Sequence, residues 1–209
     1  MKIAVIGSNG RVGSLIVKEA MSRGVEVTGV AKGENRSEAK FFISKDANLL
    51  TKEDLSSFDA VVDAVGGWTA ETIGNITSVM KRLAEILSST KIPLYVVGGA
   101  GSLYVNDEET LTVDMGPDFP DSWKPLSNAH GEGLKALRES KDLLWTYVSP
   151  ACNFVADGER TGEYQLGGEH LMVNAKGESE ISYADYALCM VDVILSGKYL
   201  RQRISVASR

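Results

Sequence analysis

Three glycines at three-residue spacing, Gly7, Gly10 and Gly13, separate the apolar run Ile3-Ala4-Val5-Ile6 from a segment with Val12, Leu15, Ile16 and Ala20 at helical spacing. The pattern reads as buried strand, tight turn and helix. Such a turn can hold a pyrophosphate, which needs backbone N–H groups at a helix N-terminus and no side chain in the way. Gly7 allows the tight turn, Gly10 lets the backbone reach the phosphates, and Gly13 lets the helix pack on the strand. Ser8, Asn9, Arg11 and Val12 complete the expected dinucleotide loop. Arg11 is either a phosphate contact or a solvated side chain on the first helical turn.

The end of the second strand decides which dinucleotide fits. An acid there takes the ribose hydroxyls of NAD, and a basic residue takes the 2′-phosphate of NADP. The sequence reads Val30-Ala31-Lys32-Gly33-Glu34-Asn35-Arg36, with no acid at the strand end. Lys32 and Arg36 supply positive charge, so NADP(H) is favoured over NAD(H). Read otherwise, both are ordinary surface charges, and Glu34 weighs the other way. Asp46 follows the third strand, as an acceptor for an adenine amino group or as a plain loop acid. Asp63 lies inside an apolar strand, where a charge must be paired, near an edge or facing a polar site. Later strand ends carry Val65-Gly66-Gly67, Gly98-Gly99 and Ser149-Pro150, where backbone would approach a ligand. Ser149-Pro150 holds extended chain beside a nicotinamide.

These residues need a scaffold, and the remaining chain predicts one. Further strands are read at 25–31, 41–44, 59–65, 92–97 and 143–149, with long helices at 69–89, 127–140 and 182–195. Shorter helices are expected at 32–40 and, from the capping pair Thr51 and Asp54, at 51–58. Residues 100–125 read as loop, extended pieces fall near Tyr164 and at 171–173, and 204–207 reads as a possible final edge strand. Continuously apolar strands alternating with helices imply an α/β fold, a doubly wound parallel sheet of order 3-2-1-4-5-6. Neither a repeat nor a linker divides the chain, so residues 1–209 read as one domain, with an acceptor pocket formed mainly by 100–180.

The balance of 22 basic against 28 acidic residues gives a net charge of −6, which disfavours nucleic acid and anionic membranes as partners. Two cysteines and two histidines, without metal-ligand spacing, predict neither a disulfide framework nor a metal site. Met1 and Lys2 lead straight into the first strand, so no signal peptide is read, and no apolar run is long enough to span a membrane. The expectation is a cytoplasmic monomer or small homo-oligomer.

Several longer stretches add to this. The loop NGRVGS from Asn9, YVVGGAGSLYV from Tyr95, SPACNFVADGERTGEYQLG from Ser149 and GESEISYADYAL from Gly177 resemble the NADH-flavin reductase family. That family is a subgroup of the atypical short-chain dehydrogenase/reductases, related to the NmrA-like proteins, and the similarity covers nearly the whole chain. The LRES stretch from Leu137, after an upstream histidine, is similar to biliverdin reductase B/flavin reductase. The resemblance implies an NAD(P)H-binding Rossmann domain that reduces FMN, FAD or a similar planar acceptor. Glu159, Arg160 and Thr161 match the family's ERTG piece, which orders the loop over the substrate pocket or contacts the substrate. Trp68, Tyr104, Phe154 and Tyr164 are candidates for stacking on the acceptor, or else core aromatics.

One departure matters. Typical short-chain dehydrogenases carry Tyr-x-x-x-Lys on the helix after the fifth strand, the lysine lowering the tyrosine pKa for proton donation. Residues 125–134, PLSNAHGEGL, contain no such pair. Flavin reduction needs none, since hydride passes from the nicotinamide to the flavin and the protein only has to stack two rings. Ser102, just past the fifth strand, and His130, a proton donor or phosphate ligand, are the candidate catalytic residues. The missing pair equally fits a non-catalytic NmrA-like redox sensor that binds NADP(H) and regulates a partner. It argues against a nucleotide-sugar epimerase.

Overall fold

Side chains alternate across a strand, so a strand that is apolar at every position must be covered on both faces. The first strand, β1 (Lys2–Ile6), is apolar at every position after Lys2 in the computed structural model, which describes all 209 residues. Ile3 and Val5 join a core against α1 (Arg11–Ser22) and α5 (Tyr183–Ser196), alongside Val17, Tyr186 and Met190. Ala4 and Ile6 join the opposite core against α3 (Ala70–Leu87) and α4 (Lys124–Glu139), alongside Leu83, Leu134 and Tyr147.

The other strands are β2 (Glu26–Ala31), β3 (Phe41–Ser44), β4 (Ala60–Asp63), β5 (Leu94–Val97), β6 (Trp145–Ser149), β7 (Asn153–Val155), β8 (Gln165–Gly167), β9 (Glu180–Ser182) and β10 (Gln202–Ala207). The main sheet runs β3-β2-β1-β4-β5-β6-β10-β8. It is parallel except for β8, which pairs antiparallel with β10. The order 3-2-1-4-5-6 is therefore as the sequence implies. The C-terminal strand also forms, one place in from the edge, because β8 covers its outer side. A small second sheet pairs β7 with β9.

Local chemistry sets several element ends. The short helix α2 (Lys52–Leu55) has the Thr51/Asp54 capping box, and Ser182 caps α5 by accepting the Asp185 amide at 3.0 Å. Gly197 closes α5 in the left-handed conformation.

Three local readings are corrected. Residues 32–40 form a loop rather than a helix. Gly33 takes φ +75°, and Asn35 accepts from the Ser37 amide and hydroxyl while donating to the Ala39 carbonyl. Such local side-chain bonds compete with helical ones. Residues 171–173 form no strand; the pairing segment there is β8. Helix α4 starts at Lys124 rather than at residue 127, with Pro125 in its first turn, where no intrahelical donor is needed.

Candidate functional site

The carboxyl ends of β1, β2 and β4 meet at the glycine turn. Gly7 has φ +78°, and a Cβ there would lie 2.6 Å from the Ala64 carbonyl oxygen. A Cβ on Gly13 would lie 2.3 Å from the Gly7 carbonyl oxygen, so Gly13 packs helix on turn rather than helix on strand. Backbone crowding thus fixes both glycines. Gly10 is the N-cap of α1, which has neither a capping side chain nor an acid in its first turn. The contrast with α2 and α5 is chemical: their first amides are met by Thr51 and Ser182. The opening of α1 is left with bare donors and the positive end of the helix dipole, the donor set that fits a pyrophosphate.

Side chains of the turn have other work. Ser8 is fully buried under Gly29, where a Cβ would come within 2.7 Å of its hydroxyl. Val12 packs against the α1/α5 core. Asn9 donates to the Glu34 carbonyl and accepts the Arg36 amide, both at 2.8 Å. This ties the loop after β2 to the glycine turn, and the Ser44 hydroxyl on the Gly33 carbonyl at 2.7 Å ties it to β3. Arg11 pairs with Asp157 at 2.8 Å, beside the Tyr183 ring.

A cavity of about 150 Å³ opens beside the turn, lined by Gly7, Ala31, Lys32, Asp46, Val65 and Asn75 among others. Lys32 and Asp46 face each other across its rim with Nζ 2.8 Å from Oδ2. Lys32 and the Asn48 amide hold the Asp46 carboxyl below the usual range. The Arg36 side chain is exposed. Asp63, at the end of β4, is only 3% exposed and accepts the Val65 amide at 3.0 Å. Burial lifts its pKa to about 7. Asp63 therefore has no cationic partner; it holds the turn that carries Val65. Gly67 is a packing glycine, since a Cβ would sit 2.2 Å from the Thr72 carbonyl oxygen, whereas Gly66 is open.

Gly98, read as a point of ligand approach, has a different reason. A Cβ on it would strike the Tyr147 ring at 2.3 Å, and one on Gly99 would reach the His130 ring at 3.0 Å. These glycines make room for side chains of β6 and α4. The Tyr147 hydroxyl accepts the Gly99 amide at 2.9 Å and lies 3.1 Å from His130 Nδ1. The imidazole tautomer sets which of the two donates. Burial presses His130 down to about 4, so it is neutral at pH 7. A neutral ring offers a phosphate one N–H donor and no charge.

Ser102 is held from below. Its hydroxyl and carbonyl each accept from Arg203 Nη1 at 2.9 Å. Arg203 is buried and its Nη2 pairs with the Glu169 carboxylate, which Arg138 of α4 also reaches at 2.6 Å. Ser149 is fully buried, and its hydroxyl finds no partner before Pro150.

The ERTG piece lies at the surface and is tied to two helices. Arg160 reaches Glu19 of α1 at 3.2 Å. The Thr161 amide and hydroxyl donate to Asp185 Oδ2 at 3.1 and 2.7 Å, and the Gly162 amide to Oδ1 at 2.9 Å. These bonds order the loop at Arg160 and Thr161; Glu159 is exposed. Phe154 packs at a tilt against Tyr183 and Tyr186, at 4.1 and 4.8 Å between centroids, and Tyr164 donates to Asp192. Trp68 is 72% exposed at the start of α3.

Sequence reasoning missed Tyr147, Glu169, Asp185 and Arg203. Only Arg203 left a usable signal, a charge directly before the apolar run of the last strand.

The comparisons with known proteins agree with this architecture. The family described as NAD(P)H-binding matches residues 7–196. The chain is 38% identical to the uncharacterized protein YwnB of Bacillus subtilis (strain 168), covering 100% of this chain and 99% of that protein. The crystal structure of SP1627 from Streptococcus pneumoniae TIGR4, named a putative NADH-flavin reductase, superposes with a TM-score of 0.97 at 45% identity over 100% of both chains. A protein from Bacteroides thetaiotaomicron, named a putative epimerase, gives a TM-score of 0.86 at 31% identity over 99% of this chain and 96% of that one. No helix is long and apolar enough to cross a membrane.

Proposed function

The chain belongs to the NAD(P)H-binding family, and from that premise we propose that it is an NAD(P)H-dependent oxidoreductase whose acceptor is a flavin or a similar planar molecule. The observation that carries the cofactor part is the uncapped start of α1 behind the crowded Gly7 and Gly13. Its bare amides bind the pyrophosphate. Lys32 and Arg36 stand on the 2′-phosphate side, which favours NADP(H). When bound, the nicotinamide supplies a hydride, and the acceptor's own electronics receive it.

The flavin part is supported by the name borne by the pneumococcal relative and by what α4 lacks. No tyrosine occurs in Lys124–Glu139, so the proton donor of carbonyl reduction and of sugar epimerisation is missing from its usual helix. The protein's own part is then placement. Asn9 fixes the loop after β2, Arg203 fixes Ser102, and Asp185 fixes Thr161 and Gly162. Together they hold the walls between which two rings stack.

A second reading is a non-catalytic NADP(H) sensor of the NmrA type. It is favoured by one observation: both candidate catalytic side chains are already engaged, Ser102 by Arg203 and His130 by Tyr147. Turnover separates the two readings, and a Gly10→Asp variant tests the shared premise. A carboxylate against the pyrophosphate abolishes NADPH binding in a calorimetric titration; unchanged affinity refutes the site.

A further inference from the structure

The cations around the cavity beside the glycine turn are unequally available. Lys32 Nζ lies 2.8 Å from Asp46 Oδ2, and Lys45 Nζ lies 2.6 Å from Asp54 Oδ2. Asp54 is also fixed by the Thr51 amide at 2.8 Å, so Lys45 has a rigid partner. Arg36 is exposed, with Glu34 two residues before it. Asp46 is itself held: its Oδ1 accepts the Asn48 amide at 3.0 Å and caps the turn Ala47–Leu49, which aims Oδ2 at Lys32.

We propose that Asp46 is the residue that sets the strength of cofactor selectivity, by holding Lys32 away from the 2′-phosphate that distinguishes NADPH from NADH. This rests on the cofactor reading given above. With Asp46 in place, a 2′-phosphate at the end of β2 meets a lysine and a carboxylate whose charges cancel. To use Lys32 it must pull the lysine off Asp46 and approach a fixed negative charge. NADH carries no such phosphate and is indifferent to the pair. The wild-type chain therefore accepts both dinucleotides with only a small preference for NADPH, and the preference is latent in Lys32.

Asp46→Asn is the informative change, because the amide oxygen still caps the Ala47–Leu49 turn while the charge is gone. Any loss of an adenine contact affects NADH and NADPH alike and cancels in their ratio. Removing one negative charge from beside a dianion in a solvated site raises the ratio Kd(NADH)/Kd(NADPH) by about tenfold. The mechanism adds a coupling. Lys32→Ala weakens NADPH by less than about threefold in the wild-type background and by about tenfold in the Asp46→Asn background.

The experiment is fluorescence titration of the wild type, both single variants and the double variant with NADPH and with NADH. The expected result is the raised ratio together with the background-dependent cost of Lys32→Ala. An unchanged ratio in Asp46→Asn, or an equal cost of Lys32→Ala in both backgrounds, overturns the proposal while leaving the cofactor site standing. If the wild-type chain binds neither dinucleotide, the cofactor reading fails, and this inference with it.

Discussion

The Tyr147 hydroxyl stands 3.1 Å from Nδ1 of His130, a tyrosine of β6 meeting a histidine of α4. Burial raises the phenol well above its ordinary pKa and lowers the imidazole, so both partners are neutral near pH 7. The pair closes the space behind Gly99, whose amide the same hydroxyl accepts at 2.9 Å. It thus holds the backbone at the end of β5 and carries no charge of its own.

That neutrality has a measurable consequence. His130 titrates at about 4 when folded, against about 6.5 in an unfolded chain. Its contribution to stability is fully present above pH 6.5 and is lost as pH falls toward 4, because the unfolded chain takes the proton first. His130→Gln removes this linkage. Urea midpoints at pH 7 and pH 4.5 should fall less between the two pH values in the variant than in wild type; an equal fall contradicts a buried neutral ring.

Asp63 shows the opposite sign. Its folded pKa of about 7 lies above the unfolded value, so it favours folding only at low pH, and stability is lost as pH rises through 7. Asp63→Asn should therefore stabilise the protein at pH 8 by up to about 4 kcal/mol and do little at pH 4. Denaturant titrations at the two pH values check this. A loss of stability at pH 8 would mean the carboxylate has a partner that the structure does not contain.

Arg203 and Arg138 share Glu169 but differ in burial, with side chains 1% and 43% exposed. Removing the buried partner strips Ser102 of its donor and leaves Glu169 with Arg138 alone, and Arg203→Ala should cost about 3 kcal/mol. Arg138→Ala should cost less than about 1 kcal/mol, as for an exposed pair. Chemical denaturation of the two variants distinguishes them, and equal costs contradict the placement of Arg203.

Much of this was legible in the sequence, and the limits have physical causes. Ile3 to Ile6 and the glycines after them announced strand, turn and helix because both backbone crowding and two-sided burial act on neighbouring residues. The sheet order 3-2-1-4-5-6 followed from alternation together with right-handed crossovers and the doubly wound rule. Distant partners could not be read. The link from Arg203 to Ser102 spans 101 residues. Thr161 meets Asp185 only once the loop has crossed to α5. The 32–40 loop was misjudged because its polar residues suit a helix by propensity, while Asn9 and Asn35 bind its backbone instead. Gly98 and Gly99 looked like ligand contacts because a glycine that clears a ligand and one that clears a tyrosine are alike in sequence.

Asp185 holds the 160–162 segment by three hydrogen bonds from Thr161 and Gly162. Asp185→Ala leaves these donors without acceptors, so the segment should open without global unfolding. Limited trypsin digestion should then cut after Arg160 at least about tenfold faster than in wild type, since an opening free energy lowered by about 1.4 kcal/mol changes the open population tenfold. An unchanged cleavage rate contradicts the clamp.

The central claim is that the bound nicotinamide does the chemistry and the protein places a planar acceptor against it. The most direct measurement is steady-state oxidation of NADPH and NADH by the purified wild-type chain with FMN, followed at the nicotinamide absorbance, with Gly10→Asp as the control. The account predicts saturable turnover well above the uncatalysed rate, abolished in the variant. Tight dinucleotide binding with no turnover against flavins, quinones or small carbonyls would contradict it and leave the sensor reading in its place.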